Sequence, residues 1–213
     1  MTIHKIYAFF MSYFRPRRLE QFKKLFPAVS TPIRILDVGG VASYPWSGLD
    51  TPAQVTILNL SLPPSEKRDP RHIYVEGDGC CLPYEDNSFD LVFSNSVIEH
   101  VGNWDRQMEF SKELVRVGKS FYLQSPNRHF FIEPHLIAPF IHWLPFKFER
   151  HLVRWLSIWG LVTRPNQQTI DDFLQGTFLL DFKQMERLFP THKIYRERVL
   201  GLTKSFIVVH SDE

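Results

Sequence analysis

The segment I-R-I-L-D-V-G-G at 33–40 ends an apolar, β-branched run in a carboxylate, Asp37, followed by Gly39 and Gly40. That order suits ligand binding: a buried strand stops at an acid, and residues without Cβ let the backbone approach a bound molecule. An ordinary strand followed by a glycine turn looks the same, so the segment alone allows any nucleotide-binding α/β protein. A second candidate is His100, in the I-E-H segment at 98–100. Its imidazole titrates near neutral pH and could take a proton from an alcohol. Glu99 and His100 serve equally well as helix-start residues that fix a loop. His129, Glu133 and His135 all carry metal-binding side chains, but their spacing crosses Pro134 and matches no zinc pattern, so no metal is expected. They read instead as lining a pocket or hydrogen-bonding within a lid. Cys80 and Cys81 are adjacent, offer neither a disulfide framework nor zinc spacing, and read as small, partly buried fillers.

The elements that must position these residues follow from the apolar pattern. Extended runs are expected at 33–38, 55–60, 73–76, 89–95 and 120–124, with an amphipathic helix over 104–117 stopped by Gly118. Strands alternating with helical pattern predict an α/β fold with a mostly parallel sheet. Asp181 is placed to cap a helix over 183–188, after which 193–199 and 205–210, linked around Gly201, form an antiparallel hairpin at one sheet edge. Between the fifth strand and Asp181 lies an insertion of about fifty residues (about 126–178), far longer than ordinary connections, with a helix expected over 148–161. One domain over 1–213, with an N-terminal helical segment to about 29 and one lid, is the economical description.

Bulk properties agree. The chain has 213 residues, 19 Phe, 7 Tyr and 5 Trp, which suits a folded protein with one sizeable core. A net charge of +2 argues against a dedicated nucleic-acid binder. Two cysteines fit a cytoplasmic setting. No apolar run reaches the ~18 residues of a membrane span, and the N-terminus lacks a small-residue cleavage site. Its aromatic face with Arg15, Arg17 and Arg18 could rest on an anionic membrane; the plainer expectation packs the aromatics on the domain and leaves the basic cluster solvated.

Three blocks, L-D-V-G-G at 36–40, G-D-G-C-C-L-P-Y-E-D-N-S-F-D-L-V at 77–92 and S-N-S-V-I-E-H-V at 94–101, resemble the small single-domain class I S-adenosylmethionine-dependent methyltransferases of the type 11 kind. The resemblance covers about residues 30–125 by motif and the C-terminal hairpin by topology. It implies a Rossmann-like sheet of seven strands, the last antiparallel beside the fifth, with helices on both faces. It further implies methyl transfer from S-adenosylmethionine to an oxygen or nitrogen of a small-molecule, glycan or lipid-linked acceptor.

Residue roles follow from the same resemblance. Asp37, Gly39 and Gly40 hold the methionyl end of the cofactor, and Asp78 accepts from the adenine amino group while Gly79 and Cys80 offer backbone N–H groups to the ring. Asn59 and Leu60 close the second strand at the ribose, Ser94 and Asn95 lie beside the sulfonium, and Val97 or Ile98 faces the cofactor. Two departures stand out. Val41 and Ser43 replace glycines of the usual loop, which sends Tyr44, Pro45 and Trp46 to shield the cofactor, and Asn59 replaces a carboxylate, losing charge assistance to the ribose. A reading in a different class is a chain that binds the cofactor as sensor or scaffold without turnover. A dinucleotide oxidoreductase is disfavoured because G-x-G-x-x-G is absent.

Overall fold

Side chains along a strand point alternately to its two faces, and 34–38 uses this to divide the molecule. Leu36 and Val38 join one buried layer, while Ile35 joins the other. A computed structural model describes residues 3–42, 44–49 and 51–210 of the chain. Its strands are β1 (Arg34–Val38), β2 (Gln54–Asn59), β3 (Ile73–Glu76), β4 (Phe89–Asn95), β5 (Gly118–Pro126), the short β6 (Ile132–Glu133) and β7 (Ala138–Pro139), β8 (Lys193–Val199) and β9 (Leu202–His210). The main sheet has seven strands in the order β3-β2-β1-β4-β5-β9-β8. β1 to β5 run parallel, β9 is antiparallel to β5, and β8 is antiparallel to β9. The order reverses between β1 and β4, which is where an open α/β sheet makes its ligand crevice.

Helices cover both faces. α1 (Ile3–Leu25) and the residue after it set Phe22 and Phe26 against Ile35, Ile57, Phe93 and Tyr122. Phe22 meets Trp46, Phe93 and Tyr122 edge-to-face, with ring centroids 5.3–6.3 Å apart. On the opposite face α2 (Trp104–Val117) buries Phe110, Leu114 and Val117 at helical spacing. Asn103 caps α2, accepting from the Arg106 N–H. Asp181 and Gln184 form the reciprocal capping box of α6 (Phe182–Leu188), as the sequence predicts. The closing hairpin turns through Leu200 (φ 50°) and Gly201 (φ 81°), a pair of left-handed residues that matches the strand twist.

The insertion departs from its expected form. The single helix over 148–161 is two, α3 (Phe146–Leu156) and α4 (Ile158–Thr163), followed by α5 (Gln167–Gln175), which periodicity does not reveal. Ser157 breaks the run: its backbone is extended, and its Oγ donates to the Val153 carbonyl while accepting the Gly160 N–H, starting a new helix. Leu136, Ala138, Ile141, Val153 and Ile170 make a separate small core there.

The N-terminal basic cluster is a second correction. Arg18 is not solvated; its guanidinium is buried and bidentate on Glu197 of β8, at 3.0 and 2.8 Å. The reason is that α1 crosses the sheet end, where Glu197 needs a cation. Among the described residues no helix is long and apolar enough to cross a membrane.

Candidate cofactor and catalytic site

The carboxyl end of β1 is built around Asp37, which is fully buried. Its Oδ2 accepts from the Trp46 indole at 2.7 Å, and its Oδ1 has no partner. Burial pushes this carboxyl up to about 8, against the smaller opposing effect of the indole bond. Gly40 must lack a side chain, because a Cβ would fall 1.8 Å from Asp37 Oδ2. Gly39, at φ +76°, leaves its space to Val97. Val97 is therefore the residue of the 97–98 pair that reaches the glycine turn, while Ile98 is buried in the core. Trp46 does not cover an open crevice; it is buried against the α1 face. Val41 bridges to Tyr44 across the loop, and Ser43 lies outside the described residues.

β2 and β3 place the next group beside it. Asn59 donates from Nδ2 to the Gly40 carbonyl at 2.9 Å, so the residue that departs from the family acid braces the glycine loop and keeps its own oxygen as an acceptor. Leu60 is largely exposed at the rim. Asp78 accepts the Cys80 N–H at 2.9 Å and pairs with Arg106 Nη2 at 2.5 Å. The Cys80 N–H, expected to face a ring, is thus occupied by Asp78. Although desolvation works the other way, these two partners hold the Asp78 carboxyl below the usual range. Gly79 packs against Phe110 and Val38. Cys80 is buried, its thiol pushed up to about 11 chiefly by burial, whereas Cys81 is exposed rather than a filler. At the end of β4, Ser94 Oγ is buried without a partner, and Asn95 receives a long 3.5 Å contact from Arg18.

A second cluster follows β4 directly. His100 Nε2 faces His135 Nε2 at 3.1 Å, and His135 Nδ1 lies 2.6 Å from Glu133 Oε1. Glu133 Oε2 accepts the Leu136 N–H at 2.5 Å. Glu99 is fully buried, accepts from Ser125 Oγ at 3.2 Å through Oε2, and leaves Oε1 unpartnered. Burial pushes Glu99 up to about 7. Burial, then the His135 charge, pushes His100 down to about 4. His135 goes the other way: desolvation opposes its proton, but the bond and charge of Glu133 prevail and raise it. His129 stands apart and exposed, so the structure unites only Glu133 and His135 of the three lid residues. Against Glu133 opens a cavity of about 370 Å³, lined also by Gln107, Glu149, Phe173 and Phe178.

Residues 36–120 match the family model described as a methyltransferase domain. Over those residues the chain carries a methyltransferase domain. Such a domain implies S-adenosylmethionine as the methyl donor. The methyltransferase resembles phosphoethanolamine N-methyltransferase 2 of Haemonchus contortus, solved with S-adenosyl-L-methionine, at TM-score 0.54 and 18% identity over 85% of this chain and 38% of that one. It also resembles the 1,6-didemethyltoxoflavin-N1-methyltransferase of Burkholderia thailandensis, at TM-score 0.54 and 13% identity over 96% of this chain and 85% of that one. At these identities the likeness is one of fold. A search of curated protein sequences finds no match.

The methyltransferase's own residues fit this cofactor. Asp37 Oδ1 and Ser94 Oγ are buried polar atoms without partners, at the carboxyl ends of neighbouring strands and beside a glycine turn that no Cβ could enter. When bound, the cofactor supplies a methyl group already activated on a sulfonium, so the protein's task is alignment and, for a hydroxyl acceptor, proton removal.

Three features of this methyltransferase escape sequence reading. Arg106 pairs with Asp78 from 28 residues away, and Trp46 serves Asp37 as a hydrogen-bond donor. Arg18 also reaches Gln124 Oε1 at 3.3 Å, while Lys204 reaches Glu197 at 3.2 Å, tying α1 to the ends of β5, β8 and β9. The only signal was Arg18 itself, one arginine among several in R-P-R-R.

Proposed function

We propose that this methyltransferase carries the methyl group to an oxygen or nitrogen of a small-molecule, glycan or lipid-linked acceptor, and that His100 is its catalytic residue. The observation that carries the reading is the His100–His135–Glu133 chain immediately after β4. A neutral His100 beside a more basic His135 lets the pair take one proton from the acceptor and hold it on His135, where the Glu133 carboxylate stabilises the imidazolium. In this reading Asp37, Gly39, Gly40, Asn59, Leu60, Asp78, Gly79, Ser94 and Asn95 hold the cofactor, with Asn59 accepting from a ribose hydroxyl through its free oxygen and Cys80 fixing Asp78 through its N–H. The whole of 1–213 is then one catalytic domain, with 126–178 as the lid over the acceptor.

Two observations support a small acceptor. The cavity against Glu133 mixes carboxylates with aromatic rings, and its size falls in the range of small-molecule sites, roughly 300–1,000 Å³. Both structural relatives above are named for methylation of nitrogen in small molecules. A lipid-linked acceptor draws support from the exposed Trp143, Phe146, Phe148 and Trp155 on the insertion. Adjacent free thiols suit a cytoplasmic setting.

Calorimetry with S-adenosylmethionine, S-adenosylhomocysteine and NAD tests the cofactor reading. Micromolar binding of the two sulfur nucleotides without NAD binding is expected, and failure of both to bind would sink it. For catalysis, His100→Ala is expected to slow turnover about 100-fold or more while sparing cofactor affinity. An unimpaired rate would return His100 to a loop-fixing role.

A further inference from the structure

The Glu99–His100–His135 cluster has more order than a proton-accepting pair requires. Two ring nitrogens that face each other at 3.1 Å must share something between them, either one proton or one cation. The three residues offer ligand atoms that all lie within 4.8 Å of one another. A cation about 2.0–2.1 Å from each of two imidazole nitrogens in a roughly tetrahedral set holds them about 3.3 Å apart, close to the 3.1 Å found, and the carboxylate would close in to join them.

The surroundings of each ring point the same way. His135 presents Nε2 and gives Nδ1 to Glu133, whose other oxygen is fixed by the Leu136 N–H. His100 also presents Nε2, and the Gly176 backbone lies beside its ring. An imidazole tied at one nitrogen by a carboxylate or carbonyl is how protein metal ligands are oriented and made more basic. Independently, Glu99 Oε1 is a fully buried carboxylate oxygen with no partner, in the same cluster as the two exposed lone pairs. Burying such an oxygen unpaired is costly, and a cation would satisfy it.

We propose that Glu99, His100 and His135 bind a divalent transition cation of the zinc and cobalt class, with Glu133 as the positioning residue of His135. Two imidazoles and one carboxylate suit that class better than magnesium or calcium, which prefer all-oxygen sets. Three protein ligands leave a coordination position for water or an acceptor oxygen. The site shares His100 with the acceptor site described above and deepens that reading: with the cation in place His100 holds the ion, and the cation takes over the lowering of the acceptor's proton affinity.

Tag-free full-length protein titrated with cobalt(II), followed by calorimetry and visible absorption, tests this. One equivalent is expected to bind with the absorption of a four- or five-coordinate ion and to be displaced by zinc. His135→Gln and His100→Gln should abolish that absorption, and Glu133→Gln should weaken cobalt affinity about 10–100-fold. His129→Ala, outside the cluster, should leave binding unchanged. Circular dichroism of each variant verifies folding, and His100→Gln provides the test if the Glu133 variant does not fold. Absence of stoichiometric binding, or binding indifferent to both histidine variants, would overturn the site in favour of a shared proton. Titration of the same samples with S-adenosylmethionine separates the two claims. Cofactor binding without cobalt binding discards the metal alone, and cobalt binding without cofactor binding discards the methyl-transfer reading alone.

Discussion

Replacing Asp37 by asparagine should flatten the pH dependence of stability in the cofactor-free protein. Asp37 is fully buried, with one oxygen bonded to Trp46 and the other unpartnered, and its carboxyl is pushed up to about 8. An unfolded aspartate titrates near 4, so between about pH 4 and 8 the unfolded chain has lost a proton that the folded chain keeps. The folded state binds more protons there, and stability falls as pH rises. Each pH unit is worth about 1.4 kcal/mol per group, so keeping Asp37 protonated in the folded state costs roughly 3–5 kcal/mol of stability between pH 4 and 7. Glu99, pushed up to about 7, adds a second contribution of the same sign over most of that window. Urea unfolding at pH 5, 6 and 7 should show a slope about one proton smaller in Asp37→Asn than in the parent protein. The asparagine keeps an acceptor for the Trp46 indole, which limits the loss of packing. An unchanged slope in the variant would mean that Asp37 is ionised in the folded state and that its burial is compensated by a cation the geometry does not supply.

Three further outcomes test the rest of the framework. Phe22→Ala removes the ring that joins α1 to Trp46, Phe93 and Tyr122 and should cost about 3–5 kcal/mol in denaturant unfolding; a loss under about 1 kcal/mol would mean that α1 is not part of the core. Asp78→Ala should weaken S-adenosylmethionine severalfold or more by calorimetry, and unchanged affinity would misplace the adenine end. Glu197→Gln leaves buried Arg18 and Lys204 without their shared carboxylate and should cost about 3–5 kcal/mol at neutral pH. Burial raises the Glu197 carboxyl, but Arg18 and Lys204 outweigh it and hold it at about 2, below its unfolded value near 4. That stabilisation is present above about pH 4 and disappears as pH falls through 2, so parent and variant should converge in acid.

Much of this protein is local and can be read from the chain. β3, β4 and α2 begin and end where period-2 and period-3.6 patterns place them, because each pattern reports one buried face. Asp181 and Gln184 announce the start of α6 through a reciprocal bond that spans only three residues. The cofactor end shares this property, since Asp37, Gly39 and Gly40 act within a single turn after β1, and the parallel order of the sheet aligns the turns of its neighbours.

The acceptor end has no such local signature. Whether His100 meets His135 depends on how a 35-residue stretch folds back, and the break at Ser157 that shapes the insertion comes from one hydroxyl serving two backbone groups. Arg18 and Glu197 are 179 residues apart, and nothing in either segment names the other. The metal-binding side chains show the same limit: His129, Glu133 and His135 are near in sequence, while the cluster that forms takes Glu99 and His100 from the other side. Strand ends and caps are decided by each residue's neighbours in the chain. Burial of a charge is decided by what crosses above it, and only the tertiary structure brings Asp37 under Trp46, Arg18 over β8 and the two histidines face to face.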